Sequence, residues 1–183
     1  MQPIGVADAL KGVAGQVASG VAVVVVMTAE GPLATTASSF AVASLDPPLT
    51  TLALRRHSRL ASLLTPDRRV TVNVLRASDY QVAAKFARSD RLPGWDGFAG
   101  IDVLRRDPRP PVLVRAAAWV DARVLRPIEM GDHVCILMGV GESRRDRTAE
   151  PLIHHRGRFH GLGRLVAPDR WSPPRSEDLT AFW

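Results

Sequence analysis

Small hydroxyl residues gather at Thr35-Thr36-Ala37-Ser38-Ser39, and Ser44-Leu45-Asp46-Pro47-Pro48-Leu49 follows closely. Short hydroxyl side chains offer donors and acceptors and let a ligand come close to backbone N–H groups. That suits a phosphate or the polar edge of a heterocycle. The same residue types also make turns and caps, so both readings stay open on composition alone. Two prolines in a row fix a rigid turn beside the cluster. Farther on, Gly131-Asp132-His133 sets an imidazole after a turn signal, where it can hydrogen-bond a ligand or steady charge. Covalent catalysis has no candidate: Cys135 lies in an apolar run with no adjacent base. His57, His154, His155 and His160 have no metal-ligand spacing, and the adjacent pair His154-His155 would face opposite sides of a strand. No metal site is expected.

These groups need a frame. The chain has 183 residues, enough for one domain with its own core. Hydrophobic residues make up 46% and charged residues 23%, a globular rather than a disordered balance. One cysteine excludes an internal disulfide framework and fits a reducing compartment. The net charge is +6, and lysine occurs only as Lys11 and Lys85, so arginine supplies the rest of the 24 basic residues. The arginines are interspersed with acids, without a run of five, which reads as a solvated basic surface rather than a nucleic-acid footprint. An anionic ligand fits the same balance. Val21–Met27 is too short to span a bilayer, and no basic n-region precedes an apolar h-region. A cytoplasmic location without membrane attachment is expected.

Leu10, Val13, Ala14 and Val17 repeat at helical spacing, predicting a helix over Asp8 to Val17 with one apolar face. Val21 to Val26 predicts a strand buried on both faces. Glu30-Gly31-Pro32 turns the chain into a returning strand, Leu33 to Ser38. Strands are expected at Leu49 to Leu54 and Val70 to Leu75, with Ser58 capping a short helix through Leu64. Ser78 and Gln81 read as a capping box for a helix whose apolar face is Val82, Ala83 and Phe86. Leu92 to Pro111 reads as a long irregular loop, Val112 to Leu125 and Val134 to Val140 as strands, and Phe159 to Leu165 as a last short one. Short strands joined mostly by turns predict a mainly β protein. The architecture expected is a closed or partly closed antiparallel barrel with a few peripheral helices. Residues 1–163 form the expected domain, and the proline-rich 164–183 a C-terminal tail or arm.

Thr36-Ala37-Ser38-Ser39-Phe40, followed by Ser44-Leu45-Asp46-Pro47-Pro48-Leu49, resembles the signature of the flavin reductase family. Four further stretches resemble that family in the same order: Val70 to Leu75, Gln81 to Ala87, Gly131-Asp132-His133 and Pro151 to Phe159. Any one of these is weak, and five in order are strong. The resemblance implies an antiparallel Greek-key split barrel that binds flavin. It departs at Ala34, where the family usually has glycine, at His154, where tyrosine is common, and over Trp95 to Pro111, which has no clear match.

By that resemblance Thr36, Ala37, Ser38 and Ser39 line the flavin ring and its ribityl chain, and Asp46 and Pro47 shape the strand that carries them. Ser58 matches a position near the flavin. Lys85 and Arg88 could reach the flavin phosphate, or equally form an exposed helix face. Phe159 can stack on a ring or simply pack. His133 becomes the catalytic candidate, at the nicotinamide site. The implied activity is hydride transfer from NADH or NADPH to FMN or FAD, in a homodimer, supplying reduced flavin to a partner monooxygenase. The alternative is a non-catalytic flavin-binding or electron-carrier protein on the same fold.

Overall fold

The structure, a computed structural model, describes residues 5–163. The expected tail at 164–183 lies outside them. Helix α1, Val6–Gln16, leads into a two-residue strand β1, Ser19–Gly20. The strands β2, Ala22–Thr28, and β3, Gly31–Ala37, form the predicted hairpin, with Gly31 at φ +107° in its turn. Then come β4, Ala41–Leu45, β5, Pro48–Arg55, and β6, Arg69–Val74. Helix α2 spans Tyr80–Ala87. Strands β7, Val103–Arg106, and β8, Arg109–Leu113, form a separate hairpin. The long pair β9, Ala118–Met130, and β10, His133–Arg145, follows, then β11, Ile153–His155, and β12, Arg158–His160.

Seven strands pair antiparallel in the order β3-β2-β6-β9-β10-β5-β4. The two edge strands, β3 and β4, are consecutive in the chain and joined by three residues, Ser38 to Phe40. So short a link brings the free edges together without pairing them, which makes the sheet a barrel with a seam. The hydroxyl cluster runs into that seam.

Strand β2 explains the two cores. Ala22, Val24 and Val26 face the barrel interior with Leu52, Val72 and Ile136. Val23 and Val25 face outward and pack with Leu75, Ala83, Phe86, Phe98 and Leu113. Helix α2 and β8 therefore cover the second face within one chain. Strand β8 is fastened there by buried Asn73, whose side chain donates to the Val23 carbonyl at 3.2 Å and accepts from the Leu113 amide at 2.9 Å. Thr71 adds a bond to the Pro111 carbonyl at 2.8 Å.

Several expectations are corrected. Leu92 to Pro111 is not an irregular loop: it holds a 3₁₀ turn, Trp95–Phe98, all of β7 and the start of β8. Prolines 110 and 111 are tolerated because β8 belongs to a two-stranded sheet. Val112 to Leu125 is broken by a turn before β9 rather than continuous, and β10 runs five residues past Val140. The capping box does not form: a 3₁₀ turn precedes α2, and Ser78 bonds Asp79 and Arg115 instead of capping. Helix α1 exists, but Leu10, Val13 and Val17 are exposed rather than packed. Ser58 accepts from the Ala61 amide at 3.2 Å, but the helix there is a 3₁₀ turn of only Ala61–Leu63, and its N-cap is Leu60. Among the described residues no helix is long and apolar enough to cross a membrane.

Candidate active site

Strand β10 begins at His133, immediately after the turn Gly131-Asp132. Gly131 sits at φ +63°, a left-handed conformation that side chains disfavour. That tight turn holds the imidazole at the barrel rim, half-buried, opposite Arg55 on β5 and Met130 on β9. His133 Nδ1 lies 2.7 Å from Asp132 Oδ1. The hydrogen bond to His133, then the imidazole's charge, hold the Asp132 carboxyl below its ordinary range, and Arg55 adds to this. A carboxylate only accepts, so Nδ1 carries the proton. In the neutral ring Nε2 then presents a lone pair.

The seam approaches this rim through β5. Ser39 donates to the Ala53 carbonyl at 2.6 Å and accepts from the Ala53 amide at 3.1 Å. Ala53 pairs with Cys135, two residues from His133 on the same strand. Ser39 and His133 therefore flank one end of the β5–β10 ladder. Ser58 lies just beyond that end of β5, where the Arg56 amide donates to the Asp132 carbonyl at 3.0 Å.

The other candidates separate. Thr36 points away from the barrel interior and donates to the Ala83 carbonyl of α2 at 2.7 Å, and Ala37 is buried in the inner core. The Ser38 hydroxyl makes no hydrogen bond among the described residues and is exposed. Asp46 and Pro47 form the β4–β5 turn, at the opposite end of β5 from Arg55 and His133. Lys85 donates to the Ala99 carbonyl at 2.9 Å, and Arg88 is paired with Asp90 at 2.6 Å on the surface. Phe159 lies on the small β1-β11-β12 sheet, with its ring 6.2 Å from that of His154.

One residue escaped sequence reasoning. Arg91 follows α2 and donates to the Ala34 carbonyl at 2.7 Å and the Arg88 carbonyl at 2.6 Å. Burial, then the charge of Arg59, pull its guanidinium below the ordinary range. A cation held by carbonyls, two residues along β3 from Thr36, welcomes an anion. No periodicity or motif marked it, because its role comes from where the post-helix loop folds back onto β3.

The donor set fits a flavin nucleotide. Uncharged hydroxyl at Ser38 suits a polar ring edge, and Lys85 and Arg91 supply positive charge along the β3 and α2 side for a phosphate. Among the described residues no three His, Cys, Asp or Glu side chains group as a metal site.

A sequence profile of the Flavin reductase like domain matches residues 14–163. The chain belongs to the flavin reductase-like family. It is 34% identical over 161 residues to an NADH-dependent FAD reductase of Streptomyces globisporus, covering 87% of this chain and 86% of that one. It is 30% identical over 176 residues to the flavin-dependent monooxygenase reductase subunit HsaB of Mycobacterium tuberculosis, covering 94% and 89%. The solved NADH:FAD oxidoreductase SgcE6 of Streptomyces globisporus superimposes with a TM-score of 0.79 at 30% identity, covering 90% of this chain and all but 1% of that one. The family match confirms the resemblance carried by the five motifs and the split-barrel architecture.

Proposed function

We propose that the protein is an NAD(P)H:flavin oxidoreductase that passes hydride from NADH or NADPH to FMN or FAD, and that reduced flavin then serves a partner monooxygenase. The observation that carries this is the His133–Asp132 pair at the rim beside the Ser38 to Phe40 seam, in a chain of the flavin reductase-like family. A relative is named a reductase subunit of a flavin-dependent monooxygenase, and SgcE6 was also solved in complex with NAD and FAD fragments.

Bound flavin and nicotinamide supply the hydride chemistry between them, so the protein binds, orients and excludes water. Ser38 and the seam backbone receive the flavin. Lys85 and Arg91 take its phosphate. Asp132 fixes the proton of His133 on Nδ1, which leaves Nε2 to accept an N–H from the nicotinamide carboxamide. A protonated ring would instead donate to the carboxamide oxygen. Phe159, Asp46 and Pro47 lie outside this arrangement.

The protein acts as a homodimer in the cytoplasm, where NADH and NADPH are at hand. Support for the dimer comes from the outer face of β9, where Leu125, Ile128 and Met130 stand exposed beside half-exposed Cys135 and Leu137. Val21 to Val26 lends none, since its second face is covered within the chain.

The test is anaerobic mixing with each flavin and each nicotinamide while flavin bleaching is followed, alongside light scattering. Bleaching and a mass twice the 19.8 kDa chain are expected. A yellow protein inert toward both nicotinamides would make it a flavin carrier, and an active monomer would remove the dimer.

A further inference from the structure

A well-formed cleft lies away from His133. It holds about 690 Å³, within the size range of small-molecule sites. It lies between β8 and the far end of β10. The strand runs from His133 to Arg144 at about 3.3 Å per residue, so along it the cleft is roughly 35 Å from the imidazole.

Half-buried Trp119 lies in the cleft, directly across the ladder from Arg144, and Arg106, outside the cleft lining, covers one face of its ring at 4.9 Å, leaving the edge and the other face. Leu104 and Val114 line it and are 54% and 60% exposed, an apolar surface left to solvent. Four arginines contribute to the lining: Arg76, Arg144, Arg145 and Arg147. The one acid there, Asp146, is already committed. It accepts from Arg76 at 2.6 Å and from the Thr148 hydroxyl and amide at 2.7 and 2.9 Å. The hydroxyl of Thr148 is the largest of the influences that hold its carboxyl below the ordinary range. Among the described residues Arg144, Arg145 and Arg147 form no ion pair. Arg144 and Arg145 are neighbours on a strand, so Arg144 shares the face of Trp119.

A planar guanidinium forks onto carboxylate or phosphate oxygens, and an indole offers its face or edge to a flat ring. We propose that this cleft is a second ligand site, separate from the flavin site, for a small molecule carrying an aromatic ring and an anionic oxygen group. Arg144 grips the anion and Trp119 the ring. The anion is a carboxylate or a phosphate.

The test is calorimetric titration of the full-length protein with benzoate, with adenosine 2′-monophosphate and with inorganic phosphate. The expected result is one site per chain for at least one ring-bearing anion, with inorganic phosphate at least tenfold weaker. Benzoate binding assigns a carboxylate ligand, and nucleotide binding a phosphate ligand. Arg144→Glu, an exposed substitution, weakens binding tenfold or more, and Trp119→Leu does the same if it folds. Flavin affinity stays unchanged in Arg144→Glu, which separates this site from the flavin reading. The proposal is overturned if neither ring-bearing anion binds at millimolar concentration. It is also overturned if Arg144→Glu binds as well as the native protein, or if inorganic phosphate binds as tightly as the ring compounds.

Discussion

The Ser39 hydroxyl occupies both hydrogen-bonding groups of Ala53, donating to its carbonyl and accepting from its amide. It thereby extends the β4–β5 ladder beyond its last backbone pair, Ala41 with Thr51. Ser39 is a stitch in the sheet, while its neighbour Ser38 is free. Ser39→Ala should cost about 1–2 kcal/mol. For a chain of this size that lowers Tm by roughly 2–8 °C. Thermal denaturation followed by circular dichroism checks it, and an unchanged Tm would show the bonds carry no net stability.

Ser38→Leu should do the reverse. It leaves Tm nearly as it was and blocks approach to the seam backbone, weakening flavin binding about ten- to a hundredfold, or roughly 1.4–2.7 kcal/mol. Fluorescence titration with FMN and FAD measures it. Unchanged affinity would place the flavin elsewhere.

His133→Ala should lower kcat/KM for the nicotinamide by roughly 10- to 1000-fold, about 1.4–4 kcal/mol, with flavin affinity little changed. Asp132→Ala should give a smaller loss, because the imidazole stays but no longer has its proton fixed on Nδ1. Anaerobic stopped-flow reduction separates the two effects. Normal reduction in His133→Ala would remove the residue from the mechanism.

A buried ion cluster anchors the β7–β8 hairpin. Asp121 is 5% exposed, and its Oδ2 meets Arg106 at 3.1 Å and Arg109 at 3.6 Å, at ion-pair distance without an aligned N–H. Arg106 also lies 4.9 Å over the Trp119 ring. Asp121→Asn leaves the buried Arg106 guanidinium with only Glu142, 3.7 Å away and half-exposed, and should cost about 3 kcal/mol, at the low end for buried pairs because Glu142 remains and Arg109 reaches solvent. The Tm then falls by roughly 6–12 °C, readable by calorimetry.

Acid should destabilise the fold through three carboxylates. Asp90, Asp132 and Asp146 are all held below their ordinary range, chiefly by hydrogen bonds from Arg88, His133 and Thr148. A depressed folded-state pKa stabilises above the unfolded pKa, and that stability is lost as pH falls through the folded value. A Tm profile from neutral pH downward should therefore decline below the ordinary aspartate range. Asp146→Asn should make that decline shallower, and an unaltered acid limb would remove Asp146 from it.

Strands with β-branched runs were legible in the residues, because Val21 to Val26 has no other comfortable conformation. Pairing order was not, since it depends on contacts such as Asn73 with Val23 and Leu113 that join distant segments. The β7–β8 hairpin hid behind its prolines. At the site, the Gly131-Asp132-His133 turn was readable locally. The division of labour between Ser38 and Ser39 was not, because only the returning β5 decides which hydroxyl is taken. The exposure of α1 was equally hidden: helical spacing shows an apolar face, and only the fold shows that this face is not buried among the described residues.

The link from Ser38 to Phe40 has a consequence for how this chain tolerates rearrangement. New termini or inserted segments at the Asp107-Pro108 turn would leave the seven-strand order intact, because that turn joins only β7 to β8. Between Ser38 and Phe40 the same cut would remove the shortest tie between the two edge strands and expose both as open edges, which invite pairing between molecules. A circular permutant opened at the first position should therefore stay dispersed, while one opened at the second should self-associate.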